Sequence, residues 1–143
     1  MPFYHCLAPK GVFTQPMKQE IVDEITRIHC DATGALPLFI QVQFEDVDPS
    51  NVFQNRKSSS AVRLHGRIRA GRPPEVRLKM LSDYTAMLHR ITKVPVADIM
   101  VAFIETPFEN VMEGGVRLPA PGEEAEWEAQ FAEPRRNLRH GPP

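Results

Sequence analysis

The sequence predicts an α+β domain built from two β-α-β units in tandem. Three observations point to it: apolar and polar residues alternate at 40–45 and 61–69, apolar residues recur at helical spacing after each of two strand-like runs, and the whole pattern restarts at an offset of about 60 residues. A chain of 143 residues fits one domain with a core large enough to be stable unaided. Hydrophobic residues at 42% and charged residues at 24% match an ordinary globular protein.

The first unit opens with residues 3–8, aromatic and apolar enough for a strand, and Gly11 marks a turn. Thr14 is placed to cap the following helix, with Pro16 in its first turn, where a missing N–H does no harm. Ile21, Val22, Ile25 and Ile28 form its buried stripe, and the helix is expected to end before Gly34. Residues 37–45 then read as a strand with one buried face. Residues 46–60, rich in Asp, Asn, Ser and Lys, read as a loop long enough to be a functional segment or a hairpin excursion, with a bearing on selectivity through Asn51, Phe53, Gln54 and Arg56.

The second unit starts at 61–69, with Val62, Leu64 and Ile68 on one side and Arg63, His65, Arg67 and Arg69 on the other. Gly71 turns the chain into Pro73 and Pro74, which start a helix striped by Val76, Met80, Tyr84, Met87, Leu88 and Ile91. Residues 98–104 close the unit as a strand. From Glu105 onward Gly and Pro interrupt regular structure, apart from a short acidic helix at 123–131 expected to dock through Trp127 and Phe131. The expected organisation is a single domain at 2–128, with halves at about 2–45 and 61–104, and a frayed basic tail at 129–143.

A net charge of −1 argues against bulk electrostatic binding to nucleic acid or membrane. The strands also lack the clustered aromatics that stack RNA bases, since 61–69 holds none and 98–104 only Phe103. No apolar run approaches the ~18 residues of a membrane span, and no secretory pattern opens the chain, so a cytoplasmic protein is expected. Cys6 and Cys30 lack the spacing of a zinc site or a redox pair and read as buried thiols; no metal or cofactor is expected.

Chemistry enters at Met1-Pro2. Initiator methionine is usually removed before a small residue such as proline, which would leave a secondary amine heading the chain. An α-amino group titrates near ~7.7–8.0, and burial or nearby cations lower that further, so the group can act as a base near neutral pH.

Pro2, the tandem β-α-β halves, Ile-His-x-x-x-x-Gly around His29, His-Gly-x-x-Arg-x-Gly-Arg at 65–72, and Glu113 followed by Gly-x-x-Leu-Pro-x-Pro-Gly together resemble the tautomerase superfamily, most closely its cis-3-chloroacrylic acid dehalogenase group. The resemblance spans about 2–128 and rests on the combination of motifs. It implies a homotrimer whose subunits each supply a four-stranded sheet with two helices on one face, and an active site around the amino-terminal proline. By the same resemblance Pro2 is the acid or base, His29 binds a substrate carboxylate, Arg69 and Arg72 hold that carboxylate and polarise the neighbouring carbonyl or alkene, and Glu113 positions water. Phe103 is expected to contact substrate. The physics agrees, because a guanidinium fork recognises a carboxylate bidentately and two such cations depress the pKa of a nearby amine.

One position departs from the pattern. Where the dehalogenases carry a water-activating tyrosine in the last core strand, this chain has Ala102, with Tyr4 a candidate to replace the hydroxyl. Loss of that group weighs against efficient hydrolytic dehalogenation, since general-base catalysis is worth ~10²–10⁴-fold. The expected function is therefore keto-enol tautomerisation or isomerisation of small 2-oxo or α,β-unsaturated carboxylic acids, with hydration as a second outcome. A weak haloacrylate dehalogenase and a non-catalytic trimeric binding module are the alternatives.

Overall fold

The alternating segment at 61–69 becomes a central strand of a four-stranded sheet, and the one at 40–45 an edge strand. In the computed structural model, which describes residues 2–136 and the side chains up to residue 130, β1 (Phe3–Pro9) leads through α1 (Gln15–Thr33) to β2 (Gln41–Val47). A hairpin of β3 (Phe53–Gln54) and β4 (Lys57–Ser58) intervenes before β5 (Val62–Arg69), α2 (Pro74–Thr92) and β6 (Ile99–Thr106). A second hairpin, β7 (Met112–Glu113) and β8 (Val116–Arg117), precedes α3 (Glu124–Arg136). The sheet order is β2-β1-β5-β6, parallel within each β-α-β unit and antiparallel where β1 meets β5. Helices α1 and α2 thus serve as the crossovers that the two parallel strand pairs require.

Local chemistry sets the boundaries of α1. The Thr14 side chain accepts a hydrogen bond from Met17 N at 3.3 Å, and Gly34 ends the helix in the left-handed conformation at φ 73°. Residues 37–39 depart from the expected strand: Pro37–Phe39 is a 3-10 turn, with Ile40 N donating to Pro37 O at 3.0 Å, and the strand begins at Gln41. Proline's fixed φ and missing N–H suit such a turn better than a ladder position. α3 runs to Arg136, so residues 132–136 extend the helix beyond the expected end at 131, into the stretch read as a frayed tail; Ala and Glu there favour helix. The expected docking of Phe131 and the tail at 137–143 lie outside the described residues and side chains.

One core joins the inward residues Tyr4, Cys6 and Ala8 of β1 and Val62, Leu64 and Ile68 of β5 to Ile21, Ile25 and Ile28 of α1 and Met80, Tyr84, Leu88 and Ile91 of α2. Each fully buried side chain of this size contributes about 1.5–3 kcal/mol. Gly66 interrupts the inward row of β5 because a Cβ there would lie 2.7 Å from the Tyr4 ring and 2.9 Å from the Phe103 ring. Cys6 is buried as expected, and burial pushes its thiol up to about 12; Cys30, expected to be buried too, is only partly so, although burial still raises its thiol. No helix of the described residues is long and apolar enough to cross a membrane.

The repeat runs further than the β-α-β units. After β2 and again after β6 comes a 3-10 turn opened by a proline step, then a two-residue hairpin turn with left-handed backbone at both positions: Asn55 and Arg56 in the first, Gly114 and Gly115 in the second. The hairpin alternative for 46–60 is the one observed, and none of its residues reaches the cavity described next.

Candidate active site

At one end of the sheet a cavity of about 390 Å³ opens beside the start of β1. Pro2, His29, Arg69, Arg72 and Glu113 all line it, although they come from four separate stretches of chain. Pro2 is buried, and its carbonyl accepts a hydrogen bond from Gln41 N at 3.2 Å, which ties the entry of β1 to β2. Phe39, Leu118, Pro119 and Trp127 give the cavity an apolar wall, with the Phe39 and Trp127 ring centroids 4.8 Å apart.

His29 sits one turn before the end of α1 and is 2% exposed. Its carbonyl accepts from the Thr33 hydroxyl at 2.7 Å, fixing the last turn where Thr33, Gly34 and Ala35 also face the cavity. The Tyr4 hydroxyl lies 2.7 Å from His29 Nδ1 and 2.7 Å from the Tyr84 hydroxyl. Burial, reinforced by the Arg72 guanidinium, lowers the His29 pKa to about 3 and keeps the ring neutral at physiological pH.

Arg69 ends β5, and Arg72 follows the turn at Gly71, whose φ of 101° a side chain would strain. Arg69 donates to Pro119 O at 3.1 Å and to Glu124 Oε1 at 2.5 Å, so a carboxylate from the first turn of α3 already engages it. That hydrogen bond holds the Glu124 carboxyl below its usual range. Arg72 is partly buried. Its pKa is lowered, chiefly by burial and then by the Arg69 charge, and its buried Nε has no hydrogen-bond partner among the described residues. Glu113 is 6% exposed at the end of β7, carried into the cavity wall by the Gly114-Gly115 turn.

Two expectations change. Phe103 is not among the residues lining the cavity of this subunit; its ring packs edge-on to Tyr84, 6.1 Å between centroids, and over Gly66. Tyr4 does not supply a free hydroxyl in place of the one missing at Ala102, because it is fully buried and bonded to His29 and Tyr84. Glu124 and Phe39 escaped the sequence reading. The acidic first turn of α3 was the one available signal for Glu124, and it did not reveal a partner in β5.

No curated protein gives a significant match. Among solved structures, native Ps01740 is 29% identical, with a TM-score of 0.76 over 78% of this chain and 99% of that one. N1, a member of the cis-3-chloroacrylic acid dehalogenase family, is 28% identical, with a TM-score of 0.87 over 95% of this chain and 99% of that one. A fused 4-OT asymmetric trimer shares the fold at 16% identity, with a TM-score of 0.77 over 84% of this chain and 98% of that one. Residues 1–133 match the family Tautomerase_3, described as "Putative oxalocrotonate tautomerase enzyme", and the chain belongs to that family of the tautomerase superfamily.

Proposed function

We propose that the mature protein, with Met1 removed, is an amino-terminal-proline enzyme that tautomerises or isomerises small 2-oxo or α,β-unsaturated carboxylic acids. The observation that carries this reading is the convergence of Pro2, His29, Arg69, Arg72 and Glu113 on one cavity of about 390 Å³. Such a volume suits a compact ligand. Arg69, Arg72 and neutral His29 hold the carboxylate and the oxygen on which enolate charge develops; the unpartnered Arg72 Nε is a donor for one of those acceptors. Neutral Pro2 takes a proton from one carbon or oxygen of the substrate and returns it to another, so the overall change is a proton shift with no co-reactant. The cations beside Pro2 lower its pKa toward the base form.

Hydration of an unsaturated acid is the second reading, favoured by the buried Glu113 carboxylate in the cavity wall. There Glu113 would orient a water and take its proton as the hydroxide adds to one carbon, while protonated Pro2 donates to the other, and the proton on Glu113 then returns to Pro2. Ala102, opposite His65 in the sheet and remote from this cavity, offers no hydroxyl to assist.

Self-association completes the proposal. Met100, Ile104, Phe53 and Met112 are exposed at 45%, 48%, 63% and 69%, an unusual load of apolar surface that a homotrimer would cover. In a trimer Phe103 can contribute to a site of the assembly without lining the cavity of its own subunit.

The test is turnover of phenylpyruvate enol and of a panel of short acetylenic and haloalkenoic acids by wild type and Pro2→Ala, after intact mass confirms loss of Met1 and light scattering gives the assembly mass. Wild type is expected at three times the 16.2 kDa chain mass and active on one substrate class, with Pro2→Ala slower by about 10²-fold or more. Equal rates in the two proteins, or none in either, would overturn the catalytic reading in favour of a binding module.

A further inference from the structure

Tyr4, His29 and Tyr84 form a hydrogen-bonded row whose protons can be counted. The contacts are Tyr84 hydroxyl to Tyr4 hydroxyl, 2.7 Å, and Tyr4 hydroxyl to His29 Nδ1, 2.7 Å, among side chains that are 0%, 0% and 2% exposed. Tyr84 has no other hydrogen-bond partner among the described residues, so its own proton has one acceptor available, the Tyr4 oxygen. Tyr4 must then send its proton onward to His29 Nδ1. The reverse direction, with Nδ1–H donating to Tyr4 and Tyr4 to Tyr84, would leave the Tyr84 proton buried without an acceptor, a costly arrangement. A neutral imidazole whose Nδ1 accepts carries its proton on Nε2.

We infer that Tyr4, backed by Tyr84, is a positioning residue that locks His29 in the Nε2–H tautomer, presenting the cavity with a neutral N–H donor for a substrate oxygen. This rests on the proposed role of His29 in carboxylate binding and deepens it. A neutral donor has a specific use here. Beside Arg69 and Arg72 a third cation would be repelled, whereas a fixed dipole adds a hydrogen bond to the carboxylate and brings no further charge against Pro2. Burial keeps both tyrosines in their hydroxyl form, so neither competes as an anion for the His29 proton. Tyr84 fixes the direction of the row by occupying the Tyr4 oxygen, but without it the Tyr4 proton still has His29 Nδ1 as its one acceptor among the described residues, so Tyr84 is not required for the tautomer.

The tautomer can be read without substrate. Full-length protein carrying ¹⁵N-labelled histidine is examined by long-range ¹H–¹⁵N correlation, His29 being assigned by the signals missing in His29→Asn. Wild type is expected to show an unprotonated Nδ1 and a protonated Nε2, Tyr84→Phe to retain that pattern, and Tyr4→Phe to show both tautomers. In kinetics Tyr4→Phe is expected to raise KM for the carboxylate substrate about tenfold with a smaller change in kcat, the sign of lost ground-state binding. A protonated Nδ1 in wild type, or an unchanged pattern in folded Tyr4→Phe, would overturn the inference. If Tyr4→Phe does not fold, the wild-type spectrum still decides. An Nε2–H tautomer in a protein that turns nothing over would sink the catalytic proposal and leave the tautomer lock standing.

Discussion

Glu124 occupies the Arg69 guanidinium that the proposed carboxylate substrate would use. Its oxygen on Arg69 stands where one oxygen of an anionic substrate would bind, and a ligand that uses the same guanidinium face must displace it. Glu124→Gln is expected to lower KM, or the Ki of a non-reactive carboxylate, by about 2–5-fold, the range given by the small worth of a partly exposed ion pair. Inhibition assays on the two proteins check this, and weaker binding in the variant would count against competition. Such a contact was beyond the sequence because it joins positions far apart in the chain, and nothing in the acidic run at 123–128 names its partner. By contrast His29, Arg69, Arg72 and Glu113 were legible as candidates only through the combination of motifs that carries the family resemblance. Phe103 shows the limit: its strand was readable, but strand position alone does not say which rings on β6 meet the cavity of their own subunit.

At the scale of elements, periodicity located α1, α2 and the strands at 40–45 and 61–69, while β1 and β6 were read from apolar content and their place in the repeat. The hairpins were harder to see. Two-residue strands are too short for a pattern, and Asn55-Arg56 places left-handed backbone on residues other than glycine, where the usual turn signal is weak. Close packing between elements leads to the next prediction. Gly66 lets the Tyr4 and Phe103 rings approach the backbone of β5, so Gly66→Ala forces both to shift. Urea denaturation is expected to show a loss of about 1–3 kcal/mol. Because the Tyr4 ring bears the hydroxyl on His29, activity is expected to fall alongside; an unchanged denaturation midpoint would show that the rings move freely.

For the whole molecule, the buried neutral histidine couples folding to acidity. The His29 pKa falls from 6.5 to about 3 on folding, so between those values the unfolded chain binds a proton that the folded protein refuses. Stability from this group is complete above pH 6.5 and declines as pH drops through the window, by up to about 1.4 kcal/mol per pH unit. Glu24, Asp48 and Glu124, whose carboxyls are held below their usual range, add their losses only at the acid end, which leaves the upper window to the histidine. Urea midpoints measured from pH 7 to 5 are expected to slope downward in wild type and to flatten in His29→Asn; parallel slopes would contradict the assignment.

The duplicated architecture divides tolerance to mutation unevenly. Counted from the start of their equal helices, His29 and Leu88 occupy the same place, as do Glu113 and Gln54 at the inner ends of the two hairpins. In each pair one residue lines the cavity and its counterpart does not. A saturation library scored separately for abundance and for turnover would split along this line. Substitutions at Leu88 and Gln54 would register in the first score, and those at His29 and Glu113 in the second, so that comparing twin positions separates the demands of architecture from those of chemistry within a single chain.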